Sequence, residues 1–153
     1  WSSDVCSSDL VADFTGGAVG VLESTKMATG RGEGAFSQDY VEINASEGSI
    51  VFQLETPLQI QIAKKGESKL RTVPVPAEFL KVPGSPRDPS KGDPVFTFRY
   101  DQNFEFIDAI RNKRACSPSF YDGAIAQGVM DAALQSARER RWISTENVVQ
   151  ELR

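Results

Sequence analysis

The stretch from Asp101 to Ile143 constrains the fold more than any other part of the chain. Two groups of apolar residues recur in it at the spacing of one helical face. The first group is Phe104, Ile107, Ala109 and Ile110, and the second is Ile125, Val129, Ala132, Ala133 and Ala137. Asp101 or Asn103 is expected to cap the first helix, and Ser117-Pro118 to end it. Ser119 and Asp122 have the spacing of a capping box, which predicts the start of the second helix.

The residues before this helical pair read as strands. Alternating or β-branched runs fall at 17–24, 39–45, 49–55, 58–62, 70–75 and 95–100. Gly48 is expected to supply a positive φ in the short turn at 46–48, and the alternation of Leu58, Ile60 and Ile62 predicts a strand with one buried and one wet face. The sequence therefore predicts an α+β, two-layer domain, with an open, mostly antiparallel sheet and helices packed on one face.

A proline-rich segment interrupts the strand series at residues 76–94. It predicts a long loop with a short helical turn near 77–81. Segments of this length serve as lids or interface arms, and an inert insertion is an equally good interpretation.

Composition narrows the function classes. The chain has 153 residues, a formal net charge of −4 and no histidine. The charge argues against a nucleic-acid partner. The missing histidine excludes Ser-His-Asp and Cys-His catalysis within this chain and, with only two cysteines, argues against a metal site. No apolar run is long enough for a membrane span, no secretory signal is visible, and a reduced, cytoplasmic setting is predicted.

Residues 1–10 repeat a short motif, Ser2-Ser3-Asp4-Val5 returning as Ser7-Ser8-Asp9-Leu10. We interpret them as a non-native or disordered leader outside the fold, with the domain running from 11 to 153. The link from Gly30 to Ala35 has the spacing G-x-G-x-x-A of a dinucleotide-binding loop. A strand pattern follows it rather than a helix, so we expect an ordinary loop and no cofactor-binding residue.

Several stretches in this order resemble the C-terminal part of the Gfo/Idh/MocA oxidoreductases. They are Gly17–Ser24, Glu42–Ile50, Phe104–Arg111 and, above all, Pro118–Gly123 continuing to Arg141-Trp142. The resemblance implies a substrate-binding and oligomerisation domain of an enzyme that transfers hydride between NAD or NADP and a sugar, polyol or related carbonyl compound. It also implies a homo-oligomer formed through the sheet face.

The family's catalytic parts are absent from this sequence. It has no Glu-Lys-Pro motif, no histidine before the sheet and no Rossmann domain, so no catalytic residue carries over. The resemblance therefore implies an oxidoreductase as the parent protein and a fragment that is inactive alone and binds no cofactor itself. The alternative is a non-catalytic binding or interaction domain of the same fold.

Two residues are candidates for substrate contact. Arg31 lies between glycines where the family's sheet approaches its cleft, and a guanidinium hydrogen-bonds hydroxyls or carboxylates well. The competing interpretation of Arg31 is a solvated loop arginine. Tyr121 is the second candidate, whereas its neighbour Asp122 is already explained as a helix cap.

Overall fold

The computed structural model describes residues 7–25, 29–30 and 38–145. Six strands, one 3-10 turn and two helices follow one another along them. The elements are β1 (Ser7–Asp13), β2 (Val19–Thr25), β3 (Tyr40–Ala45), β4 (Gly48–Gln53), β5 (Gln59–Lys64), β6 (Arg71–Pro74), the 3-10 turn Ala77–Phe79, α1 (Pro94–Asn112) and α2 (Phe120–Glu139). The chain divides into two units, residues 28–112 and residues 1–27 with 113–153. The α+β class with antiparallel sheets is confirmed.

The unit formed by residues 28–112 holds a four-stranded antiparallel sheet in the order β3-β4-β5-β6. Its register aligns Ile43 with Ile50 and Ile50 with Ile62, so these three side chains form one row across three strands. Val41 opposite Phe52 and Ile60 opposite Val73 add to the same face, because side chains two residues apart point the same way. Sequence alternation predicted these strands correctly.

The turn between β3 and β4 needs its glycine for two reasons. Gly48 has a positive φ of 158°, as the sequence predicted. A Cβ added at Gly48 would also lie 2.3 Å from the carbonyl oxygen of Ala63 on β5. The close approach of the neighbouring strand, which the sequence did not predict, excludes a side chain at this position.

The same unit ends in α1, and here the sequence prediction of a strand at 95–100 is wrong. The helix begins at Pro94, which suits the first helical position because its missing N–H would have no partner there. The carbonyl oxygen of Asp93 accepts the amide of Thr97 at 3.0 Å, which closes the first turn. Phe96, Phe98 and Tyr100 alternate with the period of a strand, but they lie on the helix, where each of these side chains is about half exposed.

The buried side of α1 also differs from the prediction. Two members of the predicted apolar stripe are exposed, Ile107 at 51% and Ile110 at 62%, whereas Phe104 is half-buried and Ala109 is buried. Ala109 shares its buried face with Asp101 and Glu105, at the four-residue spacing of one helical face. Asp101 is thus an interior helix residue and not a cap, and α1 ends at Asn112, before Ser117-Pro118.

The other unit holds the β1–β2 hairpin and α2. β1 pairs with β2 along its whole length, with Leu10 opposite Leu22 and Val11 opposite Val21. Ser7–Leu10 belong to the predicted leader, and in the structure their backbone pairs with β2, which requires no particular side chains. The non-native origin of residues 1–10 stays a prediction, and residues 1–6 lie outside the described part.

The helix α2 begins as the sequence predicted. Ser119 is its N-cap and forms a capping box with Asp122. Its most buried residue is Ala132, and Ile125 and Ala133 are half-buried, whereas the predicted stripe members Val129 and Ala137 are exposed. The predicted edge segment at 142–144 is irregular.

Candidate functional site

Of the two predicted substrate contacts, the structure describes one. Tyr121 lies in the first turn of α2 and is 39% exposed, beside Phe120 at 92%. Arg31 lies outside the described residues. The roles of Arg31 and Tyr121 in substrate binding therefore stay predictions.

Asp122, next to Tyr121, takes part in the helix start. Its Oδ2 accepts the backbone N–H of Ser119 at 2.7 Å and the hydroxyl of Ser119 at 2.8 Å. The Ser119 amide is the main reason that the pKa of Asp122 is lowered. The predicted role of Asp122 as a helix cap is confirmed.

The most desolvated charges form a cluster that sequence reasoning missed. Asp101 on α1 accepts hydrogen bonds from Arg87, through Nη2 at 2.6 Å and Nε at 3.1 Å, and from the Ser85 hydroxyl at 2.7 Å. The side chains of Arg87 and Asp101 are only 12% and 7% exposed. Ser85 itself is 3% exposed. We call Ser85, Arg87 and Asp101 the Asp101 cluster.

The electrostatics of the Asp101 cluster are those of a structural ion pair. The Arg87 hydrogen bonds hold the pKa of Asp101 below its ordinary range, and those bonds raise the pKa of Arg87. Both charges stay fixed near neutral pH, and neither group is poised to exchange a proton. No local sequence pattern links an arginine in a proline-rich loop to an aspartate fourteen residues later.

A second set of polar side chains lies along β3. The hydroxyl of Tyr40 donates to Glu42, Asn44 Nδ2 donates to Glu42 Oε1 at 2.9 Å, and the Ser49 hydroxyl donates to Asn44 Oδ1 at 2.6 Å. The hydrogen bond from Tyr40 lowers the pKa of Glu42 and raises that of Tyr40. Tyr40, Glu42 and Asn44 are exposed on the edge strand β3 and bind one another, which is ordinary for polar side chains at the edge of a sheet.

The opposite side of that sheet is apolar and open at β3 and β4. We call Val41, Ile43, Ile50, Phe52, Ile60 and Ile62 the apolar sheet face. Ile43 is 58% exposed, Val41 49% and Ile50 43%. Val51, which points to the other side, is 3% exposed. The prediction that β5 has one buried and one solvent-exposed face is wrong, since Gln59–Ala63 are all half-buried. A contiguous apolar surface of this kind is typical of a surface that another chain or domain covers.

The glycine-rich link and the acidic side chains are the two places where a cofactor or a metal ion could bind. The described backbone after the Gly30–Ala35 link is irregular at 38–39 and then enters β3 at Tyr40, whereas a helix follows the glycines of a dinucleotide fingerprint. Residues 31–37 lie outside the described part, so the absence of a cofactor-binding residue in the link stays a prediction. Among the residues that the structure describes, no group of His, Cys, Asp or Glu could hold a metal ion. In the same part of the chain, no helix is both long and apolar enough to cross a membrane.

Comparison with known proteins identifies the domain. Residues 10–145 match the model of the oxidoreductase family, C-terminal alpha/beta domain, GFO_IDH_MocA_C. The chain is 30% identical over 141 residues to levoglucosan dehydrogenase of Pseudarthrobacter phenanthrenivorans, covering 88% of this chain and 35% of that protein.

Solved structures agree with the sequence match. A levoglucosan dehydrogenase in complex with NADH and L-sorbose superposes with a TM-score of 0.72 at 29% identity, over 90% of this chain and 36% of that one. An oxidoreductase domain protein from Kribbella flavida gives 0.65 at 28% identity, over 89% and 35%. The chain thus spans little more than a third of the proteins it matches. It belongs to the Gfo/Idh/MocA oxidoreductase family and represents the C-terminal alpha/beta domain of that family.

Proposed function

We propose that this chain is the substrate-binding and oligomerisation domain of an oxidoreductase that transfers hydride between a nicotinamide cofactor and a sugar, polyol or related carbonyl compound. The family match over residues 10–145 carries the proposal. Solved relatives hold NADH with L-sorbose or with levoglucosan, which supports NAD(H) and a sugar-like substrate for the parent enzyme.

Within that enzyme, this chain supplies no cofactor site. The described residues that follow its glycine-rich link are irregular at 38–39 and then form strand β3, whereas helix N-termini hold the pyrophosphate in dinucleotide-binding domains. The sequence also lacks histidine and a Glu-Lys-Pro motif. We therefore propose that the proton transfers and the cofactor belong to a preceding Rossmann domain, and that the chain alone is inactive.

The test compares this chain with a version extended upstream by the preceding coding sequence. Calorimetric titration with NADH and NADPH is expected to give binding only for the extended chain. Binding by the chain of 153 residues itself would contradict the assignment of the cofactor to another domain. An extended chain that lacks a Rossmann segment and binds neither nucleotide would favour the non-catalytic alternative.

We further propose that the parent enzyme is a homo-oligomer and that the apolar sheet face forms its subunit contact. Ile43 and Ile50 face each other across β3 and β4 and are both largely exposed, so burial against a second copy removes apolar surface from water. Isologous contact of one sheet face with itself closes a dimer with two-fold symmetry.

Sedimentation velocity tests this contact. Ile43→Asp and Ile50→Asp each place a charge on the apolar sheet face and are expected to shift the extended enzyme toward monomer. Thr72→Asp is the matched control, because Thr72 is exposed and points to the opposite side. A monomeric wild type, or equal dissociation by all three variants, would contradict the assignment.

A further inference from the structure

The proline-rich segment is held to α1 by one carboxylate. Asp101 accepts the Ser85 hydroxyl and two N–H groups of Arg87. Three donors from two nearby residues therefore meet on the two oxygens of one side chain.

Lys81 and Arg87 also donate hydrogen bonds to backbone carbonyl oxygens of their own segment. Lys81 Nζ donates to the carbonyl oxygens of Ser85 at 3.0 Å and Arg87 at 3.2 Å. The Arg87 guanidinium donates to the carbonyl oxygen of Leu80 as well as to Asp101. The side chains of Lys81 and Arg87 thus hold the backbone between Leu80 and Arg87, and this segment is connected to the helix through Arg87 and Ser85.

The attachment is polar rather than apolar. Ser85 is 3% exposed, whereas Pro83 and Pro86 on either side of it are exposed. A segment held by a few buried hydrogen bonds opens as a local unit at lower free energy than a sheet with a full ladder. Removing one partner of a buried ion pair leaves the other charge uncompensated, so loss of the carboxylate opposes docking strongly.

We propose that residues 80–87 form a latch that docks on α1 and releases as one unit, with Asp101 as its anchoring residue. In the docked state the side chains of Lys81 and Arg87 donate to backbone carbonyl oxygens, and Arg87 also donates to Asp101. Trypsin must bind a lysine or arginine side chain in its own pocket before it cleaves. The docked latch therefore prevents cleavage after Lys81 and Arg87. Lys91, four residues beyond the latch, has an 82% exposed side chain and serves as an internal reference.

The experiment is limited trypsin digestion of the full chain, with cleavage after Lys81 and Lys91 followed by mass spectrometry. Asp101→Asn weakens the hydrogen bonds from Arg87 and Ser85 and so raises the population of the open segment. Because the rate of cleavage follows that population, the rate of cleavage after Lys81 is expected to rise by roughly 10- to 100-fold. The rate at Lys91 is expected to stay within about twofold. Asp131→Asn is the matched control, since Asp131 is an exposed aspartate on α2, outside the unit that holds the latch.

Hydrogen exchange of the β4 and β5 amides separates local release from unfolding. Protection of these strands is expected to be the same in Asp101→Asn and wild type while protection at 80–87 is lost. Unchanged cleavage at Lys81 in Asp101→Asn would overturn the proposal. Loss of protection in β4 and β5 together with 80–87 would overturn it too, because the segment would then belong to the unit's cooperative core.

Discussion

Gly48→Ala tests the claim that β4 and β5 approach too closely for any side chain at this position. The new Cβ would lie 2.3 Å from the carbonyl oxygen of Ala63. A carbon atom needs roughly 3.3 Å from such an oxygen, so the strands must separate locally by about 1 Å. The neighbouring hydrogen bond from Lys65 N to Glu47 O is 2.9 Å long, and a shift of that size breaks it.

The cost follows from what the shift disrupts. Losing one or two strand hydrogen bonds costs about 1 kcal/mol each, and the residual strain adds to this, for a total of about 2–4 kcal/mol. Urea denaturation followed by far-UV circular dichroism measures the change in the free energy of unfolding.

Two other glycines provide controls for this substitution. Gly66 has a φ of 91° and no atom within 4 Å of an added Cβ, so Gly66→Ala carries only a conformational cost of about 1 kcal/mol. Gly123 lies inside α2 with nothing within 4 Å, and Gly123→Ala is expected to stabilise by about 0.5–1 kcal/mol. If Gly48→Ala cost no more than Gly66→Ala, the argument from strand approach would be refuted.

Three further predictions concern caps and charge. Arg140 ends α2 with a φ of 53°, so Arg140→Gly is expected to raise the free energy of unfolding by about 1 kcal/mol in urea denaturation, and a loss of stability would contradict the left-handed cap. Ser119→Ala removes the capping box and is expected to cost about 1 kcal/mol in the same assay, whereas Ser119→Thr keeps a hydroxyl that can both donate to Asp122 and accept from the helix and restores most of it. The folded pKa of Asp101 lies below its ordinary value of 3.8, so its contribution to stability is complete above that value and is lost as the pH falls through the folded pKa. Unfolding free energies measured from about pH 6 to pH 2 are expected to fall less steeply for Asp101→Asn, and equal slopes would contradict a native-state role for this carboxylate.

The sequence predicted only part of the candidate site. The Ser119–Asp122 capping box is local, because its donor and acceptor lie three residues apart, and the sequence predicted it correctly. The Asp101 cluster joins residues that are fourteen and sixteen positions apart in the chain. No periodicity encodes such a pairing, and the sequence assigned Asp101 to a helix cap instead.

The helix α1 shows why a short pattern misleads. Phe96, Phe98 and Tyr100 alternate over a stretch of six residues, which is the period of a strand. The Asp93-Pro94 pair at the start of this stretch is a helix-start signal that outweighed the alternation. Ile107 and Ile110 are then exposed, whereas Asp101 and Glu105 are buried beside Ala109.

The sequence by itself determined the α+β class, the β3–β4 hairpin, the start of α2 and the family resemblance, because each depends on residues close together in the chain or on their order. The tertiary structure decided which faces are covered. It buried Val51 and left Ile43 and Ile50 on the open side of the sheet. It also brought Arg87 to Asp101, because burial and pairing of distant charges depend on how segments meet in space and not on any local spacing.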